Sequence, residues 1–88
     1  MVMWEVRYAS HALKDARKVE EAGLADKVRR LIAILEANPF QNPPPYEKLI
    51  GDLGGAYSRR ITIQHRLVYQ VFEPEHIVRI LRMWTHYE

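Results

Sequence analysis

Tyr57-Ser58-Arg59-Arg60-Ile61-Thr62-Ile63-Gln64-His65-Arg66-Leu67-Val68-Tyr69-Gln70-Val71-Phe72 is the stretch on which the fold turns. Residues 57–62 and 66–72 are rich in β-branched and aromatic side chains, which suit a pleated, half-buried surface. Only Ile63-Gln64-His65 separates them, so the spacing predicts an antiparallel hairpin. Downstream, Glu73-Pro74-Glu75 reads as a second turn and residues 75–87 as the last strand. Ile77, Val78, Ile80, Leu81, Met83 and Trp84 make that strand apolar on both faces, which predicts a central strand. Strand parity places Arg66, Val68 and Gln70 together on one face, and Arg82, Trp84 and His86 together on one face of the last strand.

Upstream, Gly51-Asp52-Leu53-Gly54-Gly55 is a glycine-rich bend that lacks the lysine and spacing of a nucleotide-cradling loop. Residues 38–46 hold four of the five prolines and predict a stiff connector. Before it, Leu24, Val28, Leu31, Ile32 and Leu35 form an i, i+4, i+7, i+8, i+11 stripe, the signature of an amphipathic helix. Asn38-Pro39 ends that helix. An earlier helix starts near Ser10 as N-cap, turns Leu13, Ala16 and Val19 inward, and leaves Lys14, Asp15, Arg17 and Lys18 outside. Gly23 suits its C-terminus, and the short connection predicts a helical hairpin. Residues 2–8 alternate, with Trp4, Val6 and Tyr8 on one face of a first strand. The expected fold is α+β in the order β-α-α-β-β-β: an antiparallel-rich sheet with the two-helix hairpin packed on one face. One domain, residues 1–88, accounts for the whole length.

Composition narrows the chemistry. There is no cysteine, so disulfides, thiol nucleophiles and cysteine-bound zinc are excluded. His11, His65, His76 and His86 stand at no metal-ligand spacing, so neither a metal site nor a cofactor is expected. The longest apolar run, Leu31–Leu35, is far short of a membrane span, and an untargeted cysteine-free domain fits the cytoplasm. Net charge is only +2. Residues 47–88, however, carry one lysine and five arginines: Arg59, Arg60, Arg66, Arg79 and Arg82. Guanidinium forks suit phosphate, although ordinary surface charge explains such a count equally well.

The polar groups on or beside the predicted sheet are Glu47, Arg59, Arg60, Arg66, Arg82, His86 and Tyr87. A carboxylate, an imidazole and fixed guanidiniums are sufficient for metal-free RNA cleavage. One group takes the proton of the ribose 2′-OH, another protonates the departing 5′-oxygen, and a cation stabilises the phosphorane-like charge. Arg59 and Arg82 are expected to join Arg60 and Tyr87 in binding substrate. Each residue also has a plain structural alternative, and composition and periodicity stop at a small domain with a candidate phosphate-binding sheet.

Residues Ser58 to Tyr69, read as one string, resemble the signature of YoeB/Txe-type toxins, in the RelE/ParE superfamily of bacterial toxin–antitoxin modules with its microbial-RNase-like fold. Asn38-Pro39-Phe40, Glu47 six residues before Leu53, the Gly54-Gly55-Ala56-Tyr57 approach and the terminal His86-Tyr87 agree, so the resemblance spans nearly the whole chain. It implies a ribosome-dependent mRNA endoribonuclease that cuts the message in the ribosomal A site. It also implies neutralisation by a YefM-type antitoxin, and it suggests homodimers. Carried onto matching positions, Glu47 is the general base, His86 the general acid and Arg66 the transition-state cation. Arg60 assists at the phosphate, and Tyr87 holds substrate or shapes the site. Ile50 departs from a usual basic residue, Gln64 from a common acidic one, and Glu88 follows the usual terminal tyrosine. Ser10-His11-Ala12 replaces a stretch that often bears tryptophan. Two other classes remain open at this level: a gyrase-directed toxin on the same scaffold, and a non-enzymatic RNA- or protein-binding module.

Overall fold

The computed structural model describes residues 3–51 and 55–86, the side chains of 85 and 86 excepted. In chain order the elements are β1 (Glu5–Tyr8), α1 (Ser10–Glu21), α2 (Ala25–Ala37), β2 (Tyr46–Lys48), β3 (Ala56–Arg60), β4 (His65–Phe72) and β5 (Ile77–His86). The sheet runs β1-β5-β4-β3-β2. β1 lies parallel to β5, and the other neighbours are antiparallel. The β3–β4 hairpin and the interior position of β5 match the sequence reading. β2 is an addition to it. Three residues directly after Pro45 are too short to show a period, and they become a strand only by pairing along β3, with Glu47 opposite Ser58.

α1 begins at Ser10, and the expected cap shifts to Ala9, which has no capping side chain. The Ala9 N–H instead donates to the Ile80 carbonyl at 2.9 Å, so the sheet holds the helix entrance. Gly23 closes α1 in the left-handed region, at φ 74°. Its N–H donates to the Glu20 carbonyl, and the Leu24 N–H to that of Val19. α2 stops at Asn38, whose extended backbone precedes Pro39.

Both helices cover one face of the sheet. Ala12 and Val19 of α1, with Val28, Leu31 and Leu35 of α2, pack on Leu67 and Tyr69 of β4 and on Val78, Ile80 and Met83 of β5. Burying a side chain such as Leu35 removes it wholly from water and is worth about 1.5–3 kcal/mol. The opposite face carries a smaller cluster: Leu49, Ala56 and Val68, with Leu81 against it. The far end of this second face is polar, and that is where the site residues gather.

Candidate active site

Cross-strand pairing decides which side chains meet. Directly opposed residues share a face, and alternate residues along a strand share it too. Ser58 is opposite Glu47 on β2 and Val68 on β4, and Arg60 is opposite Arg66. Glu47, Ser58, Arg60 and Arg66 therefore sit together on the face turned away from the helices. The Arg66 Nη1 donates to Glu47 Oε2 at 3.2 Å and to Ser58 Oγ at 3.3 Å. The two partners differ in setting: the Arg66 side chain is 15% exposed and that of Glu47 66%. The guanidinium is held in a largely shielded seat, while the carboxylate stands open to solvent.

Arg60 is exposed beside this pair. Two guanidiniums directly across a sheet repel each other. Glu47 offsets one positive charge, so the three residues together keep one. That surplus, on an open face with a hydroxyl beside it, is a fitting seat for a phosphodiester. Ser58 is a site residue the sequence reading missed. Its signal was parity: it lies two residues before Arg60 on the same strand.

Two expected substrate-binding arginines stand elsewhere, which corrects the sequence reading. Arg59 is wholly buried. Its Nε donates to the Tyr69 hydroxyl at 3.1 Å, Nη1 to the Pro44 carbonyl at 2.6 Å and Nη2 to the Pro39 carbonyl at 2.9 Å. The Tyr46 ring lies 4.9 Å from its guanidinium carbon, within cation–π range. The physical reason is parity again, since neighbours on a strand point to opposite faces. The Tyr69 hydroxyl donates onward to the Pro39 carbonyl at 3.3 Å, and burial pushes its pKa up, against the lowering effect of Arg59. The proline connector is thus stiffened by a buried cation that caps its carbonyls, not by ring geometry alone.

Arg82 is likewise committed. Its Nε donates to Asp15 Oδ2 at 2.8 Å and its Nη2 to Asp15 Oδ1 at 3.3 Å. Asp15, expected outside, is only 3% exposed. The expected alternation of Arg82 with Trp84 is also broken, because the β4–β5 register shifts between Arg66 and Val68 and again between Val68 and Tyr69. The main chain of His86 pairs opposite His65, one position beyond the Arg66–Thr85 pair. The side-chain placement of His86, and Tyr87 and Glu88 altogether, lie outside the described residues. His65 is buried and stacks on Trp84, with ring centroids 3.7 Å apart. Ile50 is 93% exposed, just past β2. Gln64 is exposed in the β3–β4 turn, where its N–H donates to Thr62 Oγ1. Among the described residues, no three His, Asp or Glu side chains gather as metal ligands.

A helix-backed mixed sheet with a carboxylate–arginine pair on its open face defines a class of small α+β toxin folds, and the comparisons place the chain within it. Residues 8–87 match the model of the YoeB-like toxin of bacterial type II toxin–antitoxin systems, and the chain belongs to that family. Toxin YoeB of Mycobacterium bovis is 40% identical over 63 residues, covering 72% of each chain. A YoeB/ParE toxin structure from Agrobacterium tumefaciens superposes with a TM-score of 0.84 at 28% identity, over 94% of this chain and 99% of that one. Staphylococcus aureus YoeB, solved in a YoeB–YefM complex and as a dimer, gives TM-scores of 0.79 and 0.80 at 28% identity, over 96% of this chain and 98% of those.

Proposed function

We propose that this toxin is a ribosome-dependent endoribonuclease that cleaves mRNA in the ribosomal A site as a single cytoplasmic domain. The observation that carries the reading is the Arg66 guanidinium seated between Glu47 and Ser58 and opposed by Arg60 on the open face. Glu47 is exposed enough to take the proton of a ribose 2′-OH. The 2′-oxygen then attacks the adjacent phosphorus, the bond to the 5′-oxygen breaks, and a 2′,3′-cyclic phosphate forms. Arg66, preorganised by its two acceptors, stabilises the charge gathering on the phosphoryl oxygens. Arg60 holds the same phosphate from the next strand. His86, at the end of β5, protonates the departing 5′-oxygen, and Tyr87 steadies the substrate beside it. No cofactor enters this scheme.

The partner that silences the site is a YefM-type antitoxin, a reading supported by the YoeB–YefM complex of the Staphylococcus relative. The dimer of that relative supports self-association of this chain. A surface with a net charge of +2 suits an enzyme delivered to its message by the ribosome, because non-specific RNA affinity grows with each phosphate contact.

In a cell-free translation reaction, the protein is expected to truncate mRNA at ribosome-bound codons, and His86→Gln and Arg66→Ala are expected to abolish this. Full-length message with arrested synthesis would show occlusion of the ribosome in place of catalysis.

A further inference from the structure

Asp15 lies on α1 among Lys14, Arg17 and Lys18, yet its carboxylate turns inward and is only 3% exposed. Oδ2 accepts from Arg82 Nε at 2.8 Å and from the main-chain N–H groups of Met83 at 3.0 Å and Trp84 at 3.2 Å, and Oδ1 accepts from Arg82 Nη2 at 3.3 Å. A buried carboxylate is costly unless its lone pairs are filled, and here four donors fill them.

Two of those donors are unusual. Successive N–H groups of a regular strand point to opposite edges. Those of Met83 and Trp84 converge on one oxygen, which is the geometry of a β-bulge. The register agrees: from Arg66↔Thr85 to Val68↔Arg82, β4 advances two residues and β5 three. The core-facing series of β5 records the same step, running Val78, Ile80, Met83. An extra residue in one strand reverses the face of everything beyond it. The segment beyond this one is short and ends, within β5, at His86.

We infer that Asp15 is a positioning residue for the nuclease site: its carboxylate fixes the β5 bulge, and the bulge fixes the course of the main chain that delivers residue 86 beside Arg66. Arg82 belongs to the same clamp, which accounts for its absence from the phosphate-binding face. The functional half of this inference rests on the proposed nuclease reading, and the bulge itself does not.

The test uses Asp15→Asn in the full chain, which keeps one acceptor oxygen and removes the charge. Arg82→Met is the second variant, removing two of the four bonds without touching α1. Both are measured well below their melting temperatures on ribosome-bound mRNA. Displacement of a reacting group is expected to lower kcat by at least about tenfold in Asp15→Asn, with KM held within about twofold. Arg82→Met is expected to shift in the same direction by a smaller factor. An NMR titration reads the histidine imidazoles directly. The His86 titration curve is expected to move, and that of His76, which stacks on Trp4 before β5 begins, is expected to stay. If wild type cleaves nothing, the nuclease reading fails while the His86 curve still tests the bulge. A His86 curve in folded Asp15→Asn that superposes on wild type overturns the inference, whatever the rate does.

Discussion

Two carboxylate–arginine pairs, one on each face of the sheet, use the same chemistry for opposite ends. Asp15 and Arg82 meet through two hydrogen bonds, with the carboxylate buried under α1 and two further N–H donors closing around it. Glu47 and Arg66 meet through one contact at 3.2 Å, with the carboxylate two-thirds exposed. The first pair is saturated and has nothing left to offer a ligand. The second keeps its carboxylate in water and its cation preorganised, which are the conditions for exchanging an internal partner for a substrate. Burial, more than residue type, separates the structural pair from the reactive one.

Breaking the open pair is expected to have the largest effect, and on activity alone. Arg66→Ala is expected to lower cleavage by about 10²–10³-fold, the usual cost of losing a preorganised charge donor. Its melting temperature is expected to stay close to wild type, because a partly exposed pair contributes only about 0–1 kcal/mol. Glu47→Gln is expected to cost about 10²–10⁴-fold in rate, the range of a lost general base. Mapped cleavage ends and thermal melts on the same samples check both.

Breaking the closed pair is expected to act on stability. Asp15→Ala leaves the Met83 and Trp84 N–H groups without this acceptor and is expected to destabilise the fold by about 2–3 kcal/mol in urea titration. Acid is a gentler version of the same experiment. Burial raises the Asp15 pKa, but the Arg82 bonds and the two N–H groups outweigh it and hold the carboxyl below its ordinary range. With the folded pKa below the unfolded one, the contribution is fully present above the unfolded value, about 4, and is lost as pH falls through the folded value. Wild type is therefore expected to lose more stability on acidification below about pH 4 than Asp15→Asn does. A urea series at stepped pH reads the difference.

The smallest effect is expected at the surface pair of Asp26 and Arg29, 2.7 Å apart on α2 with both side chains mostly exposed. Arg29→Ala is expected to change stability by less than about 1 kcal/mol and cleavage not at all. A larger loss there would show that surface ion pairs, and not burial, set the contrast.

Much of this contrast was hidden in the sequence, for reasons that particular residues make plain. The helices and the hairpin were legible because Leu24, Val28, Leu31 and Leu35, or the β-branched run around Thr62 and Val68, carry their own period. Asp15 was misread because its neighbours on the helix are solvent cations, while its partners lie 67 to 69 positions away. Arg59 and Arg60 are adjacent and chemically identical. Alternation separates them onto opposite faces, but no local pattern says which face the proline loop will cover. Ser58 carries no periodic mark at all. Glu47 and Arg66 lie 19 positions apart, and the register of β2 on β3 and of β3 on β4 brings them together. The short β2 that makes this possible leaves no period in the sequence.

The central claim is that the open-face pair cuts RNA, and sequencing the 3′ ends of a message in a purified translation reaction tests it most directly. Wild-type protein is predicted to produce new ends at the ribosome-bound codon bearing 2′,3′-cyclic phosphate, and Arg66→Ala, at equal folded concentration, to produce none. Equal yields of those ends from the two proteins would contradict the account.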